Sequence, residues 1–584
     1  MRVPVRVMTS VATVAIAVAI TGCTTARPGR DAHSCPDPDE IIFDDRTWDI
    51  GIPGGSLTIP TALGISDAST EPVSLNPACA AWDPAELTLL NMLFVAPVDR
   101  DPLTGAWSPR LAEHFELRDR GKVFRVRLRD GLRWSDGTPL TVDDLVYSYR
   151  TLYADPTAGT LAAAYLDTVG GLEIRRIDDR TYELETGVRH MLIWELVSLP
   201  PLPRHRVEPW VEANGIERFV DFWSTFTGFE GHVGNGPFTL ADYVAGDRVR
   251  LVRNPHYHEF DAEGNRLPYL DELVFLARPG IDQAELFADG VIDIARYPGQ
   301  GFERDPIASR LTDDHLIFAT AYAGPIHLLF LNTQAESLVR DDRFRAGLAH
   351  LIDRIRITTE VYGELGIPMW FGEVPYSPYY FDARDHLPTY DPAAAQRIFH
   401  ELGLRDRDAD GLLEDARGNT IVLELVTNDD NPSRVEAAEL IRAEFRSAGI
   451  GCVLVTEPFG AVIQRFFETG EWEIVLLGYE PVPGVFPGMF DEVLTITRPG
   501  DDRAGPFFDE LASIAAPLDH TVEDAELSRV YRDAQLLVDS QLDQIWLHSS
   551  GMCYALSRPI RNLEPRAFDS YILSYDRAFI ERQR

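Results

Sequence analysis

Most residue patterns that would carry catalysis are absent from this chain of 584 residues. No Gly-x-Ser-x-Gly elbow occurs to present a serine nucleophile. His258-Glu259 and His400-Glu401 are not followed by the second histidine that a zinc-protease helix needs. The one lysine, Lys122, stands outside any Gly-rich phosphate loop, which removes P-loop nucleotide chemistry. No Cys-x-x-Cys supports a redox or zinc site. His256 and His258 alone make a weak metal pair. The run Asp406-Arg407-Asp408-Ala409-Asp410-Gly411 begins like a calcium loop, with Glu414 at position nine. Position twelve is Arg417, where a bidentate glutamate is required, so the run reads as a solvated turn. The expectation is therefore no metal, no cofactor and no catalytic residue.

The remaining chemistry points to export and to binding. Arg2 and Arg6 precede an uncharged apolar run from Val7 to Ile20, the length of a signal core and short for a membrane span. Ile20-Thr21-Gly22-Cys23 resembles a bacterial lipobox, which implies cleavage before Cys23 and lipid attachment to its thiol. The stretch that follows is rich in Pro, Asp, Thr and Arg and reads as a tether. Of the other cysteines, Cys35 and Cys79 are expected to form a disulfide, while Cys452 and Cys553 sit in apolar stretches. A formal net charge of −38 opposes any role that needs a basic patch, nucleic-acid binding foremost.

The elements that must position a binding site alternate between strand and helix, an α/β pattern. Phe124, Val126 and Leu128 alternate with three arginines as a half-buried strand. Thr141 with Asp144 caps the helix that follows. Further strands are expected at 248–253, 273–277 and 450–455. A single helix is expected over 342–354. Asp391-Pro392 opens another that stops at Gly403, and Ser433 with Glu436 caps a third.

The block Phe124 to Tyr149, FRVRLRDGLRWSDGTPLTVDDLVYSY, resembles the signature of the family 5 extracellular solute-binding proteins, the oligopeptide- and dipeptide-type receptors of ABC importers. Other blocks follow in that family's order: Leu75-Asn76-Pro77, Trp107 to Glu113, Pro203-Arg204-His205, Gly234 to Phe238, Arg253 to Tyr257, Leu331-Asn332, Phe344 to Arg354, and Tyr390-Asp391-Pro392. The resemblance covers residues 54–584. It implies a two-lobed periplasmic-binding-protein clamp of type II, with an extra small domain near the N-terminus and ligand enclosed by lobe closure.

On that resemblance the chain divides into a signal peptide (1–22), a lipid-anchored tether (23–53), lobe I (54–82, 204–315 and 535–584), an inserted domain (83–203) and lobe II (316–534). It implies a monomeric receptor without enzyme activity, tethered to the membrane outside the cytoplasm. Such a receptor delivers a peptide or peptide-like solute to an ABC permease driven by its ATPase. In relatives an aspartate shortly after a Gly-Trp step pairs with the peptide's amine. Here Gly478-Tyr479 stands for Gly-Trp, Val482 occupies the expected aspartate position, and Glu480 is the nearby carboxylate. The ligand-binding set implied is Gly478, Tyr479, Glu480, Asn235, Asn428, Trp370 and Tyr376.

Overall fold

A computed structural model describes residues 48–60, 72–79, 84–100, 107–277, 283–298, 316–320, 326–362, 366–370, 384–479, 506–519, 524–549 and 552–581, less a few single positions within them. Four sheets of three or more strands organise the described residues.

The six-stranded sheet runs in the order Ile367–Pro368, Gln544–Ser549, Ile326–Leu331, Ile474–Tyr479, Val422–Asn428, Gly451–Glu457. The last three are mutually parallel, and Ile326–Leu331 is antiparallel to both its neighbours. All six residues of Ile326–Leu331 are buried, as are all six of Gln544–Ser549. Such strands show no polar alternation because both faces are covered. Successive side chains point to opposite faces, and they feed two separate cores. Leu329, Leu331, Leu423, Leu425, Ile474, Leu476, Ile545 and Leu547 join one core, together with Phe344 and Phe399. Ile326, Leu328, Phe330, Val426, Val475, Leu477 and Trp546 join the other, closed by Val462, Phe466 and Trp472.

Helices cover the first of these faces. Pro392–Glu401 starts where Asp391 accepts a bond from the Ala394 amide and Pro392 fills the first turn, as expected. Two expectations change. The helix foreseen over 342–354 is two, Asp342–Ala349 and Arg354–Tyr362. The first tightens as Leu351 and Ile352 amides bond three residues back, and Asp353 then accepts from the Arg356 amide to start the second. The helix Pro432–Ser447 is capped by Asn431, whose side chain accepts from the Arg434 amide, not by a box on Ser433 and Glu436.

A third core is continuous through two further sheets. One has the order Ser56–Pro60, Glu272–Leu276, Arg248–Arg253, Phe238–Val244. The other, antiparallel throughout, has the order Ala112–Arg118, Val123–Leu128, Thr181–Thr186, Leu172–Arg176, and lies inside the stretch assigned to the inserted domain. Thr141 and Asp144 form the reciprocal capping box expected of them.

Several of the blocks that carry the family resemblance meet around one point of this core. The Ser135 amide donates to the Gly234 carbonyl at 2.8 Å, and the Gly234 amide to Ser135 Oγ at 3.2 Å. Asp136 Oδ2 lies 2.8 Å from His205 Nε2. Asn254 Nδ2 donates to the Gly236 carbonyl at 2.8 Å. Gly137 has φ +87°, and His256 Nε2 lies 3.3 Å from where its Cβ would stand. Trp134 is fully buried beneath the turn. These blocks build the scaffold.

The fourth sheet, Ile294–Pro298, Met552–Leu556, Leu316–Thr320, joins the two halves. The chain passes from it into the six-stranded sheet between Thr320 and Ile326, and returns between Ser549 and Met552. Gln544–Ser549, which follows position 534, is an interior strand of the six-stranded sheet. Asp293 ties the junction to the other lobe: its Oδ2 accepts from the Thr58 amide at 2.8 Å and its Oδ1 from Ser557 Oγ at 2.9 Å.

Candidate ligand cleft

Because the chain enters the six-stranded sheet at Ile326 and leaves it at Ser549, the edge bearing those residues faces the other lobe. The same edge holds the carboxyl ends of the parallel strands, at Asn428 and Tyr479, where open α/β sheets place ligands. The register sets one row across it: Ile326 stands opposite Tyr479 and Ser549, and His327 opposite Gly478 and His548. Ile367 pairs with Ser549 and Pro368 with His548, and the Met369 amide donates to the Leu547 carbonyl, so Met369 and Trp370 lead away from this edge. The Trp370 ring lies under the Arg384 guanidinium, 5.4 Å from its centroid.

Directly behind the row lies a polar cluster inside an apolar sheet. His327 and His548 stack with centroids 4.7 Å apart, and Tyr362 meets His548 at 4.2 Å. Arg434 Nη1 donates to Asn428 Oδ1 at 2.8 Å, and Arg434 Nε to His327 Nδ1 at 3.4 Å. All of these side chains are buried. Burial, reinforced by Arg434, pushes the His548 imidazole down to about 3. Burial, then His548 and Arg434, holds His327 well below its ordinary value. Both imidazoles are therefore neutral, and Arg434 supplies the cluster's positive charge. A neutral ring can accept from the guanidinium, which an imidazolium cannot.

Gly478 has a steric reason to be glycine. A Cβ there would stand 3.0 Å from Arg434 Nη2 and 3.1 Å from His327 Nδ1. The strand therefore passes directly over the cation and carries Tyr479 to the lip of the cleft.

The structure brings together Gly478, Tyr479 and Asn428 along one sheet edge, while Trp370 lies past Met369, whose amide bonds to the Leu547 carbonyl, on a strand that leads away from that edge. Glu480 and Tyr376 lie outside the described residues. Asn235 does not fit the cleft role expected of it. It is 2% exposed, its Oδ1 accepts from the Val95 amide at 2.9 Å, and its Nδ2 donates to the Val95 carbonyl at 2.9 Å. Both arms of the amide are spent on one backbone residue, which stitches the 234–237 turn to the end of helix Pro84–Leu93. His327, Tyr362, Arg434 and His548 were not foreseen. Their signal was a lone histidine inside each of two apolar strands, IHLLFL and QIWLHS.

His258 Nε2 contacts the Arg110 carbonyl at 3.2 Å, away from His256 and from any metal geometry. Beside it, burial would raise the Glu259 carboxyl, but Arg110, His258 and Arg577 hold it down to about 2. Cys79 and Cys452 are free thiols among the described residues, and burial pushes the Cys79 thiol up to about 12. Cys35, its expected partner, and Cys23 lie outside the described residues. Among the described residues no helix is long and apolar enough to cross a membrane.

Comparison with known proteins agrees with this geometry. The family described as bacterial extracellular solute-binding proteins, family 5 (middle region), matches residues 106–498. The chain belongs to this family. This family 5 protein is 26% identical over 374 residues to a probable ABC transporter-binding protein of Deinococcus radiodurans, across 60% of this chain and 61% of that one. It is 26% identical over 312 residues to the periplasmic oligopeptide-binding protein OppA of Salmonella typhimurium, across 50% of this chain and 52% of that one. The chain thus spans between half and two thirds of these two relatives. Among solved structures, the oligopeptide-binding protein AppA of Bacillus subtilis, in complex with a nonapeptide, superimposes with a TM-score of 0.66. That match has 19% identity and covers 91% of this chain and 100% of the other. It supports the two-lobed clamp fold of the family 5 protein.

Proposed function

We propose that this family 5 protein is a receptor of an ABC importer that captures a peptide or peptide-like solute between its lobes. The observation that carries the reading is the family match across 106–498, a stretch that includes the edge strands Ile326–Leu331, Val422–Asn428 and Ile474–Tyr479. Closure on the two crossings would bring the other lobe over the row Asn428, Gly478 and Tyr479 and expel water from it. Backbone groups at the open strand ends are suited to a ligand main chain. The Tyr479-Glu480 step supplies an aromatic surface and a carboxylate for a ligand amine.

The receptor acts without catalysis and hands its ligand, as a monomer, to a membrane permease powered by a separate ATPase. It is exported and held by lipid at Cys23, at the outer face of the cytoplasmic membrane or in the periplasm. Asn235 serves the scaffold and not the ligand.

Mass spectrometry of the ligand that co-purifies with the mature protein tests this directly. A peptide with a free amine is expected. A sugar or a metal chelate in its place would overturn the peptide assignment and leave the receptor intact. Hydrolysis of a bound peptide would overturn the reading as a receptor.

A further inference from the structure

We propose that the loop 406–414, on the outer side of lobe II, binds a calcium ion. Asp406, Asp408, Asp410 and Glu414 each present a carboxylate oxygen, and the four oxygens lie within 4.8 Å of one another. Among the described residues none of the four is ion-paired: Arg407 directs its guanidinium to the Asp415 and Gly403 carbonyls, and Arg405 to the His400 and Leu404 carbonyls. Four negative charges in that space call for a cation that the chain does not supply.

Glu414 points to a ligand independently of the cluster. It is 5% exposed, while the three aspartates are exposed. Its Oε2 accepts from the Arg407 amide at 2.7 Å, and its buried Oε1 has no hydrogen-bond partner. A buried carboxylate oxygen left unpaired is costly unless something positive meets it. The backbone around Glu414 is held by paired bonds to Arg405, at 2.8 and 3.1 Å, so the side chain is committed to this side of the loop.

Hard carboxylate oxygens at alternate residues suit calcium, which takes six to eight oxygen ligands in flexible geometry. Magnesium demands a near-ideal octahedron and gives up water reluctantly. The loop closes at its ninth residue and not its twelfth, so Arg417 does not enter. Water and backbone carbonyls complete the shell. With no bidentate glutamate at position twelve, affinity is expected in the range of extracellular calcium modules, about 10⁻⁴ to 10⁻³ M. The ion would pin Leu404, Leu413 and Ile421 into the lobe II core immediately before the strand that ends at Asn428.

Calorimetric titration of the mature chain, stripped with chelator, tests the site with calcium chloride and with magnesium chloride. One saturable calcium event in that range is expected, with a matching rise in the thermal midpoint. Asp408→Asn and Asp410→Asn, both exposed and free of core contacts, should each weaken it at least about tenfold while leaving the midpoint in chelator unchanged. No saturable event up to about 10 mM, equal binding of magnesium, or undiminished binding in both variants would overturn the proposal. Glu414→Gln adds a fourth arm, read alongside the chelator midpoint because Oε2 also holds the Arg407 amide.

Discussion

At Gly478 one hydrogen in place of a methyl group decides how closely the cleft strand can approach its cation. Gly478→Ala would push the new Cβ against Arg434 and His327, so ligand affinity should fall about tenfold or more, with thermal stability lowered by about 1–3 kcal/mol. Titration calorimetry beside a melting curve separates the two effects. Glu480→Gln should weaken ligands bearing a free amine and spare amine-free ones. Equal affinity of both ligand classes before and after would remove Glu480 from the site. His548 makes a pH prediction. Its folded value is about 3, below the ordinary value near 6.5. The unfolded chain therefore takes the proton first. Stability is full above about pH 6.5 and falls as pH drops toward 3, by about 1.4 kcal/mol per pH unit. Between pH 7 and 5 the wild type should lose about 2 kcal/mol more than His548→Gln in urea melts.

At the scale of elements, the Gly234–Pro237 turn shows how closely packed the scaffold is. A Cβ on Gly234 would stand 2.0 Å from the Leu93 carbonyl oxygen, a backbone atom that cannot move aside. Gly234→Ala should therefore unfold this lobe or leave it insoluble. Asn235→Ala leaves the buried Val95 amide and carbonyl without partners and should cost about 1–3 kcal/mol. Ligand affinity should stay unchanged if Asn235 is scaffold, and calorimetry checks that half.

Elements with local signals were legible in the sequence. The strand Arg248–Arg253 has the bounds its alternation implied, and Asp391-Pro392 and Thr141 cap the helices they were expected to cap. The break in 342–362 was not legible, since Leu348, Leu351 and Ile352 keep helical spacing across it and only Asp353's side chain marks the new start. Asn431 is hidden as a cap because Ser433 and Glu436 have capping-box spacing two residues later, although Pro432 already fills the first turn. The cluster behind the cleft was illegible for a different reason. His327, Tyr362, Arg434 and His548 come from four separate elements, and only the sheet order brings them together.

For the whole molecule, the two crossings between the bridging sheet and lobe II make rigid-body closure the motion to expect. Small-angle scattering should show the radius of gyration falling when ligand is added, with no change in secondary structure by circular dichroism. Cys23→Ser should move the protein from the membrane fraction to the soluble one. Continued membrane fractionation would remove the lipid assignment. Neither experiment depends on which ligand is bound.

The bridging sheet also sets an order of events during synthesis. Its middle strand, Met552–Leu556, lies between Ile294–Pro298 and Leu316–Thr320 and bonds to both. Those outer strands leave the ribosome before any of lobe II, yet they have no partner until nearly the last residues are made. Lobe II can complete its sheet only when Gln544–Ser549 has emerged, and the junction is sealed after that. A junction whose keystone strand comes last can be sealed only when nearly the whole chain has been made, so the two lobes are joined firmly only at the end of translation.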